Sequence, residues 1–244
     1  MLSKAEAKYI QSLSQKKFRQ QENLFVAEGL KIIAEALNNP FAKVKKVFAM
    51  EDWVRANEKF RSRTEIVTVT EADLNRISQL KTPHGVLALI EIPRSEGFEL
   101  NTLKLALALD GIQDPGNMGT ILRIADWFGV KQIICSNDCA DIYNSKVVQA
   151  SMGSIFRTEV FYTNLAGWLT TQKNTIIYGA ALDGIPLRSY KNIQQGVLII
   201  GNEGNGIRPE VMQHISQKIT IERFGEAESL NAAVATGIIL AQIV

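Results

Sequence analysis

Histidine and cysteine are scarce in this chain, with two of each in 244 residues. His84 and His214 lie far apart and outside the glycine-rich segments, so no Ser-His-Asp set can be assembled and hydrolysis through a histidine base is set aside. Cys135 and Cys139 are too few for a disulfide framework, and with two histidines they are too few for a zinc site. They read as free thiols of a reducing cytoplasm, and no metal is expected. No apolar run approaches the roughly 18 residues of a membrane span, so no membrane partner is expected. The first residues, MLSKAEAKYIQSLSQKKFRQQEN, lack the apolar stretch of a secretory signal. A G-x-x-x-x-G-K-[ST] loop is also missing, which removes the motif behind nucleotide hydrolysis.

The composition, 46% apolar and 21% charged, is that of a soluble globular protein, and a cytoplasmic location is expected. The net charge of +2 neither demands nor excludes nucleic acid, but its distribution is uneven. Residues 1–46 hold nine Lys and Arg (Lys4, Lys8, Lys16, Lys17, Arg19, Lys31, Lys43, Lys45, Lys46) against four Glu, a balance of +5 that the rest of the chain offsets. This is either a phosphate-facing surface or an ordinary solvated helix face, and charge alone does not choose.

Hydropathy divides the chain in two. Residues 4–38 read as helical with a polar break at Lys16–Arg19, because Phe25, Val26, Leu30, Ile33 and Leu37 recur near helical spacing until Asn38-Asn39-Pro40. Apolar runs at Val44–Met50, Ile66–Val69 and Gly85–Ile92 read as strands, separated by helical segments near Trp53–Phe60 and Glu71–Leu80. Pro93-Arg94-Ser95-Glu96-Gly97 reads as a linker. The expected boundaries are thus 1–92 for a small α/β domain, 93–103 for the linker and 104–244 for a second domain. In the latter, strands at Leu103–Leu109, Gln132–Cys135, Val160–Tyr162, Thr175–Ala181, Gly196–Ile200 and Lys218–Ile221 alternate with helices at Met118–Phe128, Ser145–Met152, Pro209–Ile215 and Leu230–Ile243. That alternation predicts a mostly parallel sheet with its ligand loops at the carboxyl ends of the strands.

Three polar loops in the second domain carry the candidate chemistry. In LALALDGIQDPGNMGTILRIADWFG, Asp114-Pro115-Gly116-Asn117 marks a turn, and the helix after it sets Arg123 among Ile121, Leu122, Ile124 and Ala125. An arginine buried there needs a partner, either an acid such as Asp126 or an anionic ligand. In VLIIGNEGNGI, the order G-x-x-G-x-G with Glu203 inside it is not the dinucleotide fingerprint, since a carboxylate repels pyrophosphate. Glu203 calls for a cationic or neutral polar partner, Arg123 or a ligand amine. In KITIERFGEAESLNAAVATGIILAQ, Ser229 suits a helix N-cap. Asn231 falls in the first turn of a helix apolar enough to be buried, so its amide needs partners.

Together the segments Asp114-Pro115-Gly116-Asn117-x-Gly119-x-x-x-Arg123, Gly201-x-Glu203-Gly204-x-Gly206 and Glu228-Ser229-Leu230-Asn231 resemble the three ordered signatures of the SpoU (TrmH-type) RNA ribose 2′-O-methyltransferases of the SPOUT superfamily. Phe25-Val26-Ala27-Glu28-Gly29 and Thr82-Pro83-x-Gly85-Val86 resemble the substrate-binding domain often attached to that family. The resemblance implies an α/β fold with a C-terminal trefoil knot, preceded by a small α/β domain that binds RNA. It implies a homodimer whose active site is completed across the subunit interface. S-adenosylmethionine would lie in the knot against Leu182, Gly201, Asn202, Gly206, Ile221 and Leu230. The catalytic set would be Arg123, Asn117, Glu203, Ser229 and Asn231. Asn117 would order the first loop and Glu203 would orient Arg123 or Asn231. Ser229 and Asn231 would hold the ribose or the loop. Because a guanidinium keeps its proton at neutral pH, Arg123 is expected to hold phosphate and the developing alkoxide rather than act as the base. Two departures stand out: Glu222-Arg223 where the family usually has Pro-Met, and Ala232-Ala233 where it usually has Val-Ser. Ribosomal RNA is favoured over transfer RNA because the extra domain accompanies many ribosomal members. The alternatives are transfer RNA, base methylation, a non-catalytic RNA-binding ribosome-assembly protein, and a nucleotide-cofactor oxidoreductase, which Glu203 disfavours.

Overall fold

The computed structural model describes residues 2–80, 82–93 and 97–244. The chain forms two compact units, Met1–Ser95 with Asp141–Phe156, and Glu96–Ala140 with Arg157–Val244. The expected boundaries are linear and hold no place for the excursion of Asp141–Phe156. The linker read at 93–97 falls in part on Arg94, Ser95 and Glu96, which lie outside the described residues.

The first unit begins with helices α1 (Lys4–Ser12) and α2 (Lys16–Glu22). Strand β1 (Leu24–Glu28) and helix α3 (Leu30–Asn38) follow. The helical reading of 4–38, broken only at Lys16–Arg19, therefore fails at Leu24–Glu28: Phe25 and Val26 are strand residues. Asn23 takes a left-handed φ of 53° at the end of α2, and Gly29 sits at φ 99° before α3, so the chain turns sharply on both sides of β1. Strands β2 (Val44–Ala49), β3 (Glu65–Thr68) and β4 (Val86–Glu91), with helices α4 (Glu51–Ala56) and α5 (Glu71–Ile77), complete a mixed sheet of order β1-β4-β2-β3. Ile10, Leu13, Val26, Phe48, Leu74, Ile77, Leu87 and Leu89 form one continuous core. Each such side chain contributes on the order of 1.5–3 kcal/mol by leaving water. Phe25 meets Tyr143 at 4.9 Å and Phe156 at 6.5 Å between ring centroids, while buried Arg19 donates to the Asp141 carboxylate at 2.6 Å. These contacts draw Asp141–Phe156, including helix α7 (Ser145–Ser151), into this unit. Burial pushes the Tyr143 hydroxyl up to about 12, helped by the nearby Asp141 charge.

The second unit holds a six-stranded parallel sheet of order β10-β8-β9-β5-β6-β7. Its strands are β5 (Leu105–Asp110), β6 (Gln132–Ser136), β7 (Glu159–Thr163), β8 (Ile177–Pro186), β9 (Gly196–Gly201) and β10 (Gln217–Thr220). Helices α6 (Pro115–Trp127), α8 (Leu165–Leu169), α9 (Pro209–Met212) and α10 (Ala232–Ile243) surround it. All six residues of β5 are buried, as a central parallel strand covered on both faces requires. Strands β5 and β9 pair in register, Leu105↔Gly196 to Asp110↔Gly201. From β5 the chain proceeds to β6 on one side, and from β9 to β10 on the other. Their adjacent carboxyl ends form the switch point at which parallel α/β sheets bind ligands.

Candidate active site at the switch point

The first loop leaves β5 through Gly111 at φ 72°. The Gly111 N–H donates to Ser136 Oγ at 2.9 Å. Asp114 caps α6 by accepting from the Asn117 N–H at 2.8 Å, and Pro115 takes the first helical position, where its missing N–H costs nothing. With its backbone satisfied by the cap, the Asn117 side chain is available for work outside the helix. Its amide Nδ2 donates to the Glu203 carboxylate, and its Oδ1 accepts from Asn231 Nδ2 at 2.8 Å.

The second loop is a closed hairpin. Asn202 and Gly206 exchange backbone hydrogen bonds at 3.0 and 2.9 Å, and Asn202 Oδ1 accepts from the Gly204 and Asn205 N–H groups. A Cβ on Gly201 would collide with the backbone of Gly206 and Ile207, so only glycine allows this closure. In the third loop, Asn231 is the N-cap of α10, accepting from the Ala233 and Val234 N–H groups at 3.0 and 3.2 Å. The cap expected at Ser229 therefore lies two residues later. Ser229 Oγ instead approaches the Glu203 carbonyl oxygen at 3.4 Å. Asn231 finds the partners its amide requires in the cap and in Asn117.

Beneath these loops lies a cavity of about 750 Å³. The six positions expected to hold the donor, Leu182, Gly201, Asn202, Gly206, Ile221 and Leu230, all line it, as do Glu203 and Ser229. Its wall is apolar at Ile200, Ile207, Ile219 and Ile239 and acidic at Asp183, Glu203, Glu222 and Glu228, with Arg223 the single base. Asp183 and Glu222 are neutralised by Lys218 and Arg188, each at 2.7 Å. Among the described residues Glu203 and Glu228 have no cationic partner, which leaves the cavity favourable to a cation. The Arg188–Glu222 pair and the Arg223 bond to the Ala227 carbonyl at 3.3 Å order the loop where the family's usual Pro-Met is replaced.

Arg123 departs from expectation. It is exposed rather than buried, it does not line the cavity, and Asp126 pairs with Arg157 at 2.8 Å instead. No hydrogen bond joins it to Glu203 among the described residues. Thus Asn117, Glu203, Ser229 and Asn231 come together, and Arg123 stands apart from them. The residues missed from the sequence are Asp110 and Arg208. Asp110 is 1% exposed and accepts from the Arg208 N–H and Nε, both at 2.8 Å, and from Nη2. An acid ending the fully apolar run LALAL was the available signal, since such a carboxylate cannot stay buried alone. Among the described residues no group of three His, Cys, Asp or Glu could hold a metal, and no helix is long and apolar enough to cross a membrane.

The model of the SpoU rRNA Methylase family matches residues 104–241, across all three loops. The chain belongs to this family. An MRM3-like substrate binding domain matches residues 4–88. The chain is 30% identical over 231 residues to the 23S rRNA (guanosine(2553)-2′-O)-methyltransferase RlmP of Bacillus subtilis, covering 93% of this chain and 91% of that protein. A putative RNA methyltransferase of the TrmH family from Porphyromonas gingivalis superposes with a TM-score of 0.87 at 36% identity, covering 99% of this chain and 97% of the other. An AdoMet-bound rRNA methyltransferase from Sinorhizobium meliloti gives a TM-score of 0.87 at 29% identity, covering 98% and 94%.

Proposed function

We propose that this SpoU-family chain methylates a ribose 2′-hydroxyl of ribosomal RNA in the cytoplasm, using S-adenosylmethionine. The observation that carries this is the cavity at the β5/β9 switch point, with apolar walls, two uncompensated carboxylates and the Asn117–Glu203–Asn231 junction at its side. Its volume lies within the ~300–1,000 Å³ usual for small-molecule sites. The hairpin that a Gly201 Cβ would spread presents backbone groups to it, so the residues present fit a cationic nucleoside donor. When bound there, the donor supplies an already activated methyl group on a sulfonium. The chain supplies position and electrostatics: Leu182, Ile221 and Leu230 give apolar contact, and Gly201, Asn202 and Gly206 give backbone contact. Glu203 is held by Asn117, and Asn231 fixes the third loop to the first.

The proposal includes a homodimer. Arg123 and Trp127 lie four residues apart on the outer face of α6, and Trp127 is 81% exposed. Helix α10 packs against α6 and exposes Val234 and Ile238. Pairing of two copies through these surfaces covers the apolar residues and delivers Arg123 to the partner's cavity, where it holds an RNA phosphate and the developing alkoxide. The proton leaves through phosphate or water, because a guanidinium is a poor base. The C-terminal segments are assigned the trefoil knot of the family, supported by the return of α10 onto α6 and β9. The first unit is assigned the selection of the RNA site.

The test is methyl transfer from labelled S-adenosylmethionine to ribosomal RNA, with the product nucleotide located by mass spectrometry after digestion. The methyl is expected on a ribose. A methylated base refutes the 2′-hydroxyl assignment, and absence of donor binding in calorimetry leaves a non-catalytic RNA-binding protein. Arg123→Ala is expected to lose turnover and keep donor affinity; near-normal turnover at saturating RNA refutes its role.

A further inference from the structure

The loop that carries Glu203 is tethered twice to the end of β5. At its entry, Asn202 Nδ2 donates to the Gly111 carbonyl at 2.8 Å. At its exit, Arg208 grips Asp110 through backbone and guanidinium together. Both tethers end on neighbouring residues, so 203–207 span a fixed distance. A further ring steadies the anchor. Arg208 Nη2 reaches Asp138 at 3.4 Å, Asp138 accepts from Ser136 Oγ at 2.6 Å, and Ser136 accepts from the Gly111 N–H.

A fully buried carboxylate is a costly way to hold a strand end, because the Asp110 charge must leave water while its cation, Arg208, stays partly exposed. Its return is directional: the planar guanidinium fork and the backbone N–H of one residue fix Arg208 in orientation as well as in place. Fork and N–H both act within two residues of Gly206, which lines the cavity. We propose that Arg208 and Asp110 are positioning residues for methyl transfer, acting by setting the hairpin 202–207 and thereby the Glu203 carboxylate against Asn117. This rests on the methyltransferase function proposed above.

The test uses the full-length chain with Arg208→Lys, Arg208→Gln, Glu203→Gln and the double variant Arg208→Gln/Glu203→Gln. Donor affinity is read by calorimetry, turnover by methyl incorporation, and RNA affinity without donor. Arg208→Gln is expected to raise the donor Kd and lower kcat by at least tenfold each, with RNA affinity within twofold. Arg208→Lys, which keeps charge but not the fork, should fall between it and wild type. The double variant should lose less kcat than the product of the single losses, because both act on one loop. Donor Kd and kcat within twofold of wild type in Arg208→Lys and Arg208→Gln overturn the proposal, as do multiplicative losses in the double variant. If Arg208→Gln fails to fold, Arg208→Lys alone decides by the same two readouts. A wild-type chain that binds no donor overturns the underlying function; donor binding by wild type with unchanged variants overturns the clamp alone.

Discussion

Replacing Asn117 by alanine removes the side chain that touches both other loops, leaving the Asn202–Gly111, Arg208–Asp110 and Ser229–Glu203 links in place. The lost bond to Glu203 is charge-assisted and is worth about 1.5–3 kcal/mol, and the lost bond from Asn231 is neutral and worth about 0.5–1.5 kcal/mol. Fully expressed in the transition state, about 2–4.5 kcal/mol lowers kcat/KM by roughly 30- to 2,000-fold. Asn117 is half-buried and Asn231 exposed, so water compensates in part and the expected loss lies near the lower figure. Asn117→Asp keeps the shape but sets a carboxylate against Glu203, where two negative charges about 4 Å apart repel by about 1–4 kcal/mol. It should therefore be worse than alanine at neutral pH and recover relative to it as pH falls. The assay is methyl incorporation into ribosomal RNA under kcat/KM conditions, with melting curves to verify folding. An Asn117→Asp enzyme as active as Asn117→Ala, or an alanine variant within threefold of wild type, would refute the junction as a working element.

Gly201→Ala should weaken donor binding more than tenfold and lower Tm, since its Cβ meets the fixed backbone of Gly206 and Ile207; unchanged calorimetry would show that the hairpin yields. Trp127→Glu puts a charge in the proposed dimer face, and light scattering should show monomers that bind donor but do not methylate. The Asp138 carboxyl lies below its usual 3.8, chiefly through the hydrogen bond from Ser136, with burial opposing. A carboxylate lowered in the fold contributes stability that is present above its unfolded value and lost as pH falls through the folded one. The wild-type advantage over Asp138→Asn in chemical denaturation should therefore shrink below about pH 4. Lys16→Glu/Lys17→Glu should weaken RNA binding and reduce the slope of log K against log salt by about 1.5, with donor affinity unchanged.

Much of the second unit is legible in sequence because a parallel sheet covered on both faces writes its strands as unbroken apolar runs, as in LALAL and VLII. The first unit is less so. Phe25 and Val26 fall by chance in phase with Leu30, Ile33 and Leu37, and only the left-handed backbone at Asn23 and the positive φ at Gly29 separate strand from helix. Helix α8, Leu165–Leu169, has five residues and one glycine, too short for periodicity to register. The apolar neighbours of Arg123 in sequence hide its exposure. Each helical residue turns about 100° from the last, so Ile121, Leu122 and Ala125 share the buried face while Arg123 and Trp127 share the other. The Asp110–Arg208 pair joins residues 98 positions apart, a relation that only the sheet order creates.

The basic N-terminal region changes meaning once its partners are known. Arg19 is 3% exposed, with its guanidinium on the Leu13 and Ser14 carbonyls and Asp141, so it holds the first unit together. Lys46 bridges Glu6 and Glu65, and Lys43 and Lys45 face Glu91. Of the nine cations counted in residues 1–46, the exposed ones without an acidic partner among the described residues are Lys4, Lys8, Lys16, Lys17 and Lys31. Lys16 and Lys17 open α2, whose first turn carries no acid and no side-chain cap, so two like charges stand at the positive end of a helix. That placement costs helix stability, and an anionic partner is what would offset it. The cations left for the proposed RNA contact are thus five of the nine, four of them on α1 and α2. Deleting the first 92 residues is a poor way to probe it, because the Arg19–Asp141 and Phe25–Tyr143 contacts go with them. Asp141–Phe156 would lose its core, and a loss of RNA binding would report unfolding of that segment as readily as loss of the lysines. Charge reversal within the intact chain separates the two.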